Sequence, residues 1–219
     1  MIITEQKPFA EILENLKSEK KIIIIGCGLC AKTAQTGGEK QVKEMSEKLR
    51  KEGVQTAVHD VLDAVCDERL VKLFINKHKE EISRTDSILI LSCGAGVQAF
   101  KQVLSGKKLH PGLNTLFLAT EKRLGEFYQF CSLCGNCVLD LTSGICPVTR
   151  CPKGYVNGPC GGAKNRKCEA NPENDCVWHI IFEAGIDDRI RDRMIELKDH
   201  KKQFHPRKIY PKGKAVPHA

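Results

Sequence analysis

Eight cysteines fall within the 46 residues from Cys131 to Cys176. That density constrains this chain more than any other feature. The segment is rich in Gly, Pro and Asn, and its apolar residues follow no sustained helical or strand period. Such a stretch cannot fold around a hydrocarbon core, so links through sulfur must hold it. The chain starts MIITEQKPFA, with no export signal. It is therefore expected in the cytoplasm, where thiols stay reduced. There, clustered cysteines read as metal ligands; a disulfide-rich secreted domain is the alternative. No apolar run approaches the ~18 residues of a membrane helix.

The spacing is informative. Cys131, Cys134 and Cys137 form C-x2-C-x2-C, and Cys146 precedes Pro147. This is the bacterial ferredoxin pattern except at one point. There the fourth cysteine follows after three residues, whereas here eight intervene. Cys151, Cys160, Cys168 and Cys176 bring the total to eight, enough for two four-ligand sites. Spacing does not say which cysteine joins which site. Division in chain order puts Cys131, Cys134, Cys137 and Cys146 in one and the remaining four in the other. One cluster with free thiols, or zinc in one site, is an alternative.

The first half reads differently. Phe9, Ile12, Leu13 and Leu16 share a helical face over residues 9–19. K-I-I-I-I-G, residues 21–26, reads as a strand buried on both sides. Residues 38–52 form an amphipathic helix with Val42, Met45 and Leu49 inward, closed by Gly53. Further strands are expected at 54–59, 87–92 and 114–119. Helices are expected at 67–83, with Asp67 as cap, and at 95–104. Strands alternating with helices imply βαβ units and a parallel sheet. The expected fold class is therefore α/β. A small flavodoxin-like or Rossmann-like domain spans residues 1–125. A Cys-rich metal-binding module with an amphipathic helix (176–198) spans 126–199, and a basic tail spans 200–219.

Four cysteines belong to the α/β half: Cys27, Cys30, Cys66 and Cys93. Cys27 and Cys30 follow the first predicted strand, Cys66 the second and Cys93 the third. In a parallel sheet these strand ends share the edge where such folds bind ligands. Four soft thiolates there suit an iron–sulfur cluster or zinc. Three rivals stand beside this. G-C-G-L-C-A, residues 26–31, matches a dinucleotide loop, although the long helix is expected only at Gly38 and Asp60 comes late for a ribose-binding acid. C-G-L-C is also a thioredoxin-like spacing, which leaves Cys66 and Cys93 as bystanders. Inert buried cysteines are the third rival.

Net charge is +8. Part of the excess lies in the tail, where Lys201, Lys202, Arg207, Lys208, Lys212 and Lys214 meet no acid after His200. This reads as a solvated segment able to dock on a partner. Aromatics are only 5%, so platforms for stacking bases are scarce and nucleic acid is not an expected partner. His179 reads as a packed or surface residue, Trp178 as core, and no nucleophile–His pair stands out.

The string from Cys131, C-S-L-C-G-N-C-V-L-D-L-T-S-G-I-C-P-V-T-R-C-P-K-G-Y-V-N-G-P-C-G-G, followed by K-C-E and C-V-W-H-I-I, resembles the methylenetetrahydrofolate reductase C-terminal domain family. That family includes the small metal-binding subunit of the reductase in acetogenic and related anaerobic bacteria. G-C-G-L-C-A-K-T-A-Q-T-G-G-E, C-D-E-R-L-V, S-C-G-A-G-V-Q and L-N-T-L-F-L extend the resemblance over about residues 20–198. It implies one to three [4Fe–4S] clusters, with zinc in one site as the alternative. It implies a separate flavin-carrying (β/α)8 subunit that reduces the methylene group. This chain would pass electrons to that flavin and would not be catalytic alone. The donor would be a ferredoxin, a nicotinamide-linked subunit or a heterodisulfide-reductase-like one. The alternative is a zinc-stapled assembly subunit.

Overall fold

The computed structural model describes residues 1–190. It divides into two compact units, Met1–Phe130 and a second that starts at Cys131. The first unit holds eight strands: β1 (Ile2–Gln6), β2 (Lys21–Cys27), β3 (Gln55–Leu62), β4 (Ser87–Leu91), β5 (Lys108–Pro111), β6 (Leu113–Leu118), β7 (Thr120–Arg123) and β8 (Glu126–Tyr128). Its helices are α1 (Phe9–Leu16), α2 (Cys30–Thr33), α3 (Glu39–Lys51), α4 (Glu68–Lys77), α5 (Lys79–Ser83) and α6 (Gly94–Val103).

A four-stranded parallel sheet in the order β3-β2-β4-β5 is the frame. β2 sits inside it, and Ile22 to Ile25 are all fully buried. This is why its four consecutive isoleucines show no alternation: both faces lie against apolar side chains. β4 is likewise buried along its whole length. On α3, Val42, Met45 and Leu49 face the core. The Gln41 side chain accepts a hydrogen bond from the Gly38 N–H at its start. Lys48, Arg50 and Lys51 occupy its last turn, where the helix dipole favours cations. Gly53, at φ +85°, turns the chain into β3. Asp67 caps α4 by accepting from the Arg69 N–H at 2.9 Å.

Several elements differ from expectation. The first helix stops at Leu16 rather than residue 19. The Glu19 carboxylate is buried and pairs with Lys108 at 2.9 Å, which the helix could not continue through and still reach. The helix expected over 67–83 breaks at His78 into α4 and α5. Residues 114–119 do not supply the fourth parallel strand. That place belongs to β5, and β6 pairs antiparallel with β1 in a sheet of its own. Gly112 separates the two: a Cβ there would lie 2.4 Å from Leu91 Cδ2, so only glycine lets the chain leave the sheet so closely. The β7–β8 hairpin, turning at Gly125 (φ +81°), was also not expected.

The second unit contains α7 (Pro147–Arg150) and α8 (Val177–Ala184), then a 3-10 turn at Asp188–Ile190. It does have a small apolar core, contrary to expectation: Leu141, Val177, Trp178 and Ile181 are buried together, and Val138 packs with Val156. Trp178 is core, and its Nε1–H donates to the Tyr155 carbonyl at 2.9 Å. The final helix ends at Ala184, where Gly185 takes φ +95°. Its carbonyl accepts from the Ser143 hydroxyl, and Ile186 packs back on the Trp178 cluster. The rest of the stripe expected to 198, and the tail 200–219, lie outside the described residues. No helix among the described residues is long and apolar enough to cross a membrane.

Gly26 tests this frame. A Cβ there would meet the Gly37 carbonyl oxygen at 2.4 Å and Val42 Cγ2 at 2.5 Å. Gly26→Ala should therefore destabilise the chain by about 1–3 kcal/mol. Urea unfolding checks this through a lowered midpoint at unchanged slope.

Candidate functional site

The parallel sheet brings its cysteines to one edge. Cys27 is the last residue of β2, and Cys30 opens α2. Cys66 lies between β3 and α4, immediately before the Asp67 cap, and Cys93 is itself the cap residue of α6. All four follow the C-terminal ends of parallel strands, where α/β folds bind ligands.

Glycines draw these loops together. The Gly28 N–H donates to the Leu62 carbonyl at 2.8 Å, tying the C-G-L-C loop to the end of β3. A Cβ on Gly96 would lie 2.4 Å from Ser92 Oγ and 2.9 Å from Val65 Cγ1. Only glycine, then, lets α6 approach the loop that carries Cys66. Sequence reasoning missed Thr115, whose hydroxyl accepts from the Gly94 N–H at 2.8 Å and fastens β6 to the start of α6. A threonine 21 residues away in sequence carries no local signal of that role.

Burial pushes the Cys66 thiol above its ordinary value of 9.0, and Cys93, Cys27 and Cys30 push it the same way. Cys93, Cys27 and Cys30 are thus close enough to Cys66 to oppose its ionisation. A cation among them would reverse that. The starts of α2, α4 and α6 follow the same strand ends, and the Asp67 carboxylate already caps the start of α4. Soft sulfur donors, four in number, fit an iron–sulfur cluster or zinc. Among the described residues, no three Cys, His, Asp or Glu side chains stand preset in metal-ligating geometry.

The rival readings fare worse. A dinucleotide loop needs open space at its glycines for a pyrophosphate. Here the chain fills it: the Gly37 carbonyl accepts from the Cys27 N–H at 2.9 Å beside Gly26. A thioredoxin-like pair would leave Cys66 and Cys93 idle, yet Cys66 lies within electrostatic reach of both the motif and Cys93. Inert core cysteines do not describe the set either. All twelve thiols are free, and only Cys27 and Cys176 are buried.

In the second unit, Cys151, Cys160, Cys168 and Cys176 line one cavity of about 20 Å³ together with Lys153 and Trp178. A water needs about 10–15 Å³ on that measure, so the space suits a single ion. Backbone pairing builds it: the Cys168 N–H donates to Asn174 O at 3.0 Å and the Cys176 N–H to Arg166 O at 2.7 Å. Cys151 Sγ accepts from the Tyr155 N–H at 3.4 Å. The Lys153–Glu169 ion pair spans the rim.

Cys131, Cys134, Cys137 and Cys146 are held by local contacts. Cys131 Sγ accepts from the Leu133 N–H at 3.4 Å, and Cys134 Sγ donates to Asn136 O at 3.6 Å. Leu133 and Gly135 both take positive φ, at 58° and 75°, which curls the C-S-L-C-G turn around its sulfurs. Cys146 Sγ lies 3.6 Å from Thr149 Oγ1. Among the described residues none of the three cysteine groups stands preset as a metal-ligand set. His179 is exposed.

Convergence in the first unit has a chemical signature. In the metal-free chain the Cys66 thiolate should form only above the ordinary thiol value. Its alkylation by iodoacetamide should keep rising beyond pH 9.0. Cys93→Ser removes a like charge and should move that profile to lower pH. An unmoved profile would mean that Cys93 does not face Cys66.

Neither the curated proteins nor the solved structures contain a match to this chain. Residues 110–204, which run from β5 into the second unit, match the family model described as Methylene-tetrahydrofolate reductase C terminal.

Proposed function

We propose that this chain is the iron–sulfur electron-transfer subunit of a methylene-tetrahydrofolate reductase complex. The family match ties the chain to that reductase. The observation that carries the finer reading is the thiol group at the sheet edge: Cys27, Cys30, Cys66 and Cys93 follow the ends of three parallel strands, with the other three within electrostatic reach of Cys66. Cys131, Cys134, Cys137 and Cys146 follow the ferredoxin-like spacing and are proposed as a second iron–sulfur ligand set. When bound, a [4Fe–4S] cluster takes up and releases electrons one at a time.

The chain's own residues would do the rest. Four thiolates would hold the group. The Gly28–Leu62 and Gly94–Thr115 hydrogen bonds keep the loops in place. Cys66 is exposed and leaves one side of the site open, as transfer to a partner requires. That partner is proposed to be the flavin-carrying catalytic subunit, supplied in turn by a ferredoxin or a nicotinamide- or heterodisulfide-reductase-linked donor.

A second reading has its own observation. The cavity between Cys151, Cys160, Cys168 and Cys176 has room for one ion, and four thiolates around one ion is the structural zinc arrangement. The two readings coexist if zinc staples the second unit while clusters carry electrons. If zinc fills every site, the chain is an assembly subunit without redox function.

Iron, zinc and acid-labile sulfide should be measured on anaerobically purified chain alongside its visible spectrum. Iron with matching sulfide and a band bleached by dithionite supports the redox role; zinc alone in a colourless protein sinks it. Cys93→Ala should remove about four irons per chain and leave zinc unchanged. Cys168→Ala should do the reverse and lower thermal stability.

A further inference from the structure

Among the described residues β3 is an edge strand, paired with β2 on one side only. It is eight residues long and carries no lysine or proline, the residues that commonly blunt a free edge. One register irregularity faces Ile22 and Ile23, and pairing is regular from Val58 to Leu62. Alongside the edge runs a groove of about 600 Å³ between α3 and β3. Lys43, Glu47 and Arg50 form its helical wall at spacings of four and three, one face of α3. Gln55, Thr56 and His59 form the strand wall. The Thr56 hydroxyl is buried in it with no hydrogen-bond partner among the described residues.

A helix beside a free sheet edge is the arrangement in which an extended peptide adds a strand: the edge supplies main-chain hydrogen bonds and the helix supplies side-chain selection. Here the selection is for negative charge. Lys43 and Arg50 are exposed and enter no ion pair among the described residues, and Glu47 is the one acid in the wall. The chain's own tail cannot answer that charge, because after His200 it carries six Lys and Arg and no acid. A second copy answers it no better, since β3 against β3 would bring the same cations face to face. We infer that the β3 edge and the α3 groove dock an extended, acidic segment of a partner protein by strand addition. This is independent of which metal the thiols hold.

The test uses the full chain and two fluorescein-labelled peptides as long as β3, one alternating Thr and Glu and the other Thr and Lys. Fluorescence anisotropy and backbone hydrogen exchange are read together. The Thr/Glu peptide should bind and slow exchange of β3 amides. Lys43→Glu with Arg50→Glu, both on the exposed face of α3, should weaken it by about tenfold or more. The Thr/Lys peptide should not bind. Equal binding of both peptides, binding of neither, or binding without protection of β3 would each overturn the inference. So would a dimer whose β3 amides are already protected without peptide, because the edge would then belong to a second copy.

Discussion

The parallel pairing of β2 with β3 and β4 is the constraint on which the thiol site depends. Parallel strands all end on the same side, so whatever follows each strand meets at one edge. Ile22 to Ile25 fix β2 at the centre because four adjacent β-branched residues are satisfied only when both faces are covered. Once β2 is central, Cys27 is committed to the edge, and Cys66 and Cys93 arrive there after β3 and β4. A single antiparallel strand in that position would send its cysteine to the opposite end. The chain does contain antiparallel strands, but β1 with β6 and β7 with β8 form separate pairs.

Close approach then turns a shared edge into a site. Gly26, Gly37 and Gly96 each stand where a Cβ would lie within 2.4 Å of another atom. They let the segment after β2 fold back on itself and let α6 press against the loop bearing Cys66. The Gly37 carbonyl that satisfies the Cys27 N–H also occupies the volume a nucleotide would need. One backbone contact thus organises the thiols and excludes the rival ligand.

Most of the first unit was legible because its signals are local. The apolar run of β2, the Val42–Met45–Leu49 stripe, the Asp67 cap and the Gly53 stop each act within a few residues. The errors share a cause as well. β5 is only four residues long, and Lys-Leu-His-Pro has no strand period to read. His110 is buried there through its neighbourhood with Glu19, a partner 91 positions away in sequence. β1 is Ile-Ile-Thr-Glu-Gln, and it becomes a strand because Leu113–Leu118 lies beside it. In the second unit the small core was missed because Leu141 and Trp178 are far apart in sequence and sit among turn-forming residues. At the candidate sites, spacing pointed to the cysteines of the sheet edge. It could not tell a cavity that suits one ion from a loop that curls around single sulfurs, since that difference lies in Cys168–Asn174 and Cys176–Arg166 backbone pairing.

Charge links the two units under the proposed function. The formal +8 counts every cysteine as neutral. A divalent ion held by four thiolates carries a net charge of about −2, so each filled site removes part of the basic excess. This distribution also explains why the wall of α3 stands out. Lys153, Arg166 and Lys167 are engaged with Glu169, Glu183 and Asp175, whereas Lys43 and Arg50 face a groove with a single carboxylate. A positive surface left unneutralised beside an open strand edge is available to a partner, and filling the thiol sites does not consume it.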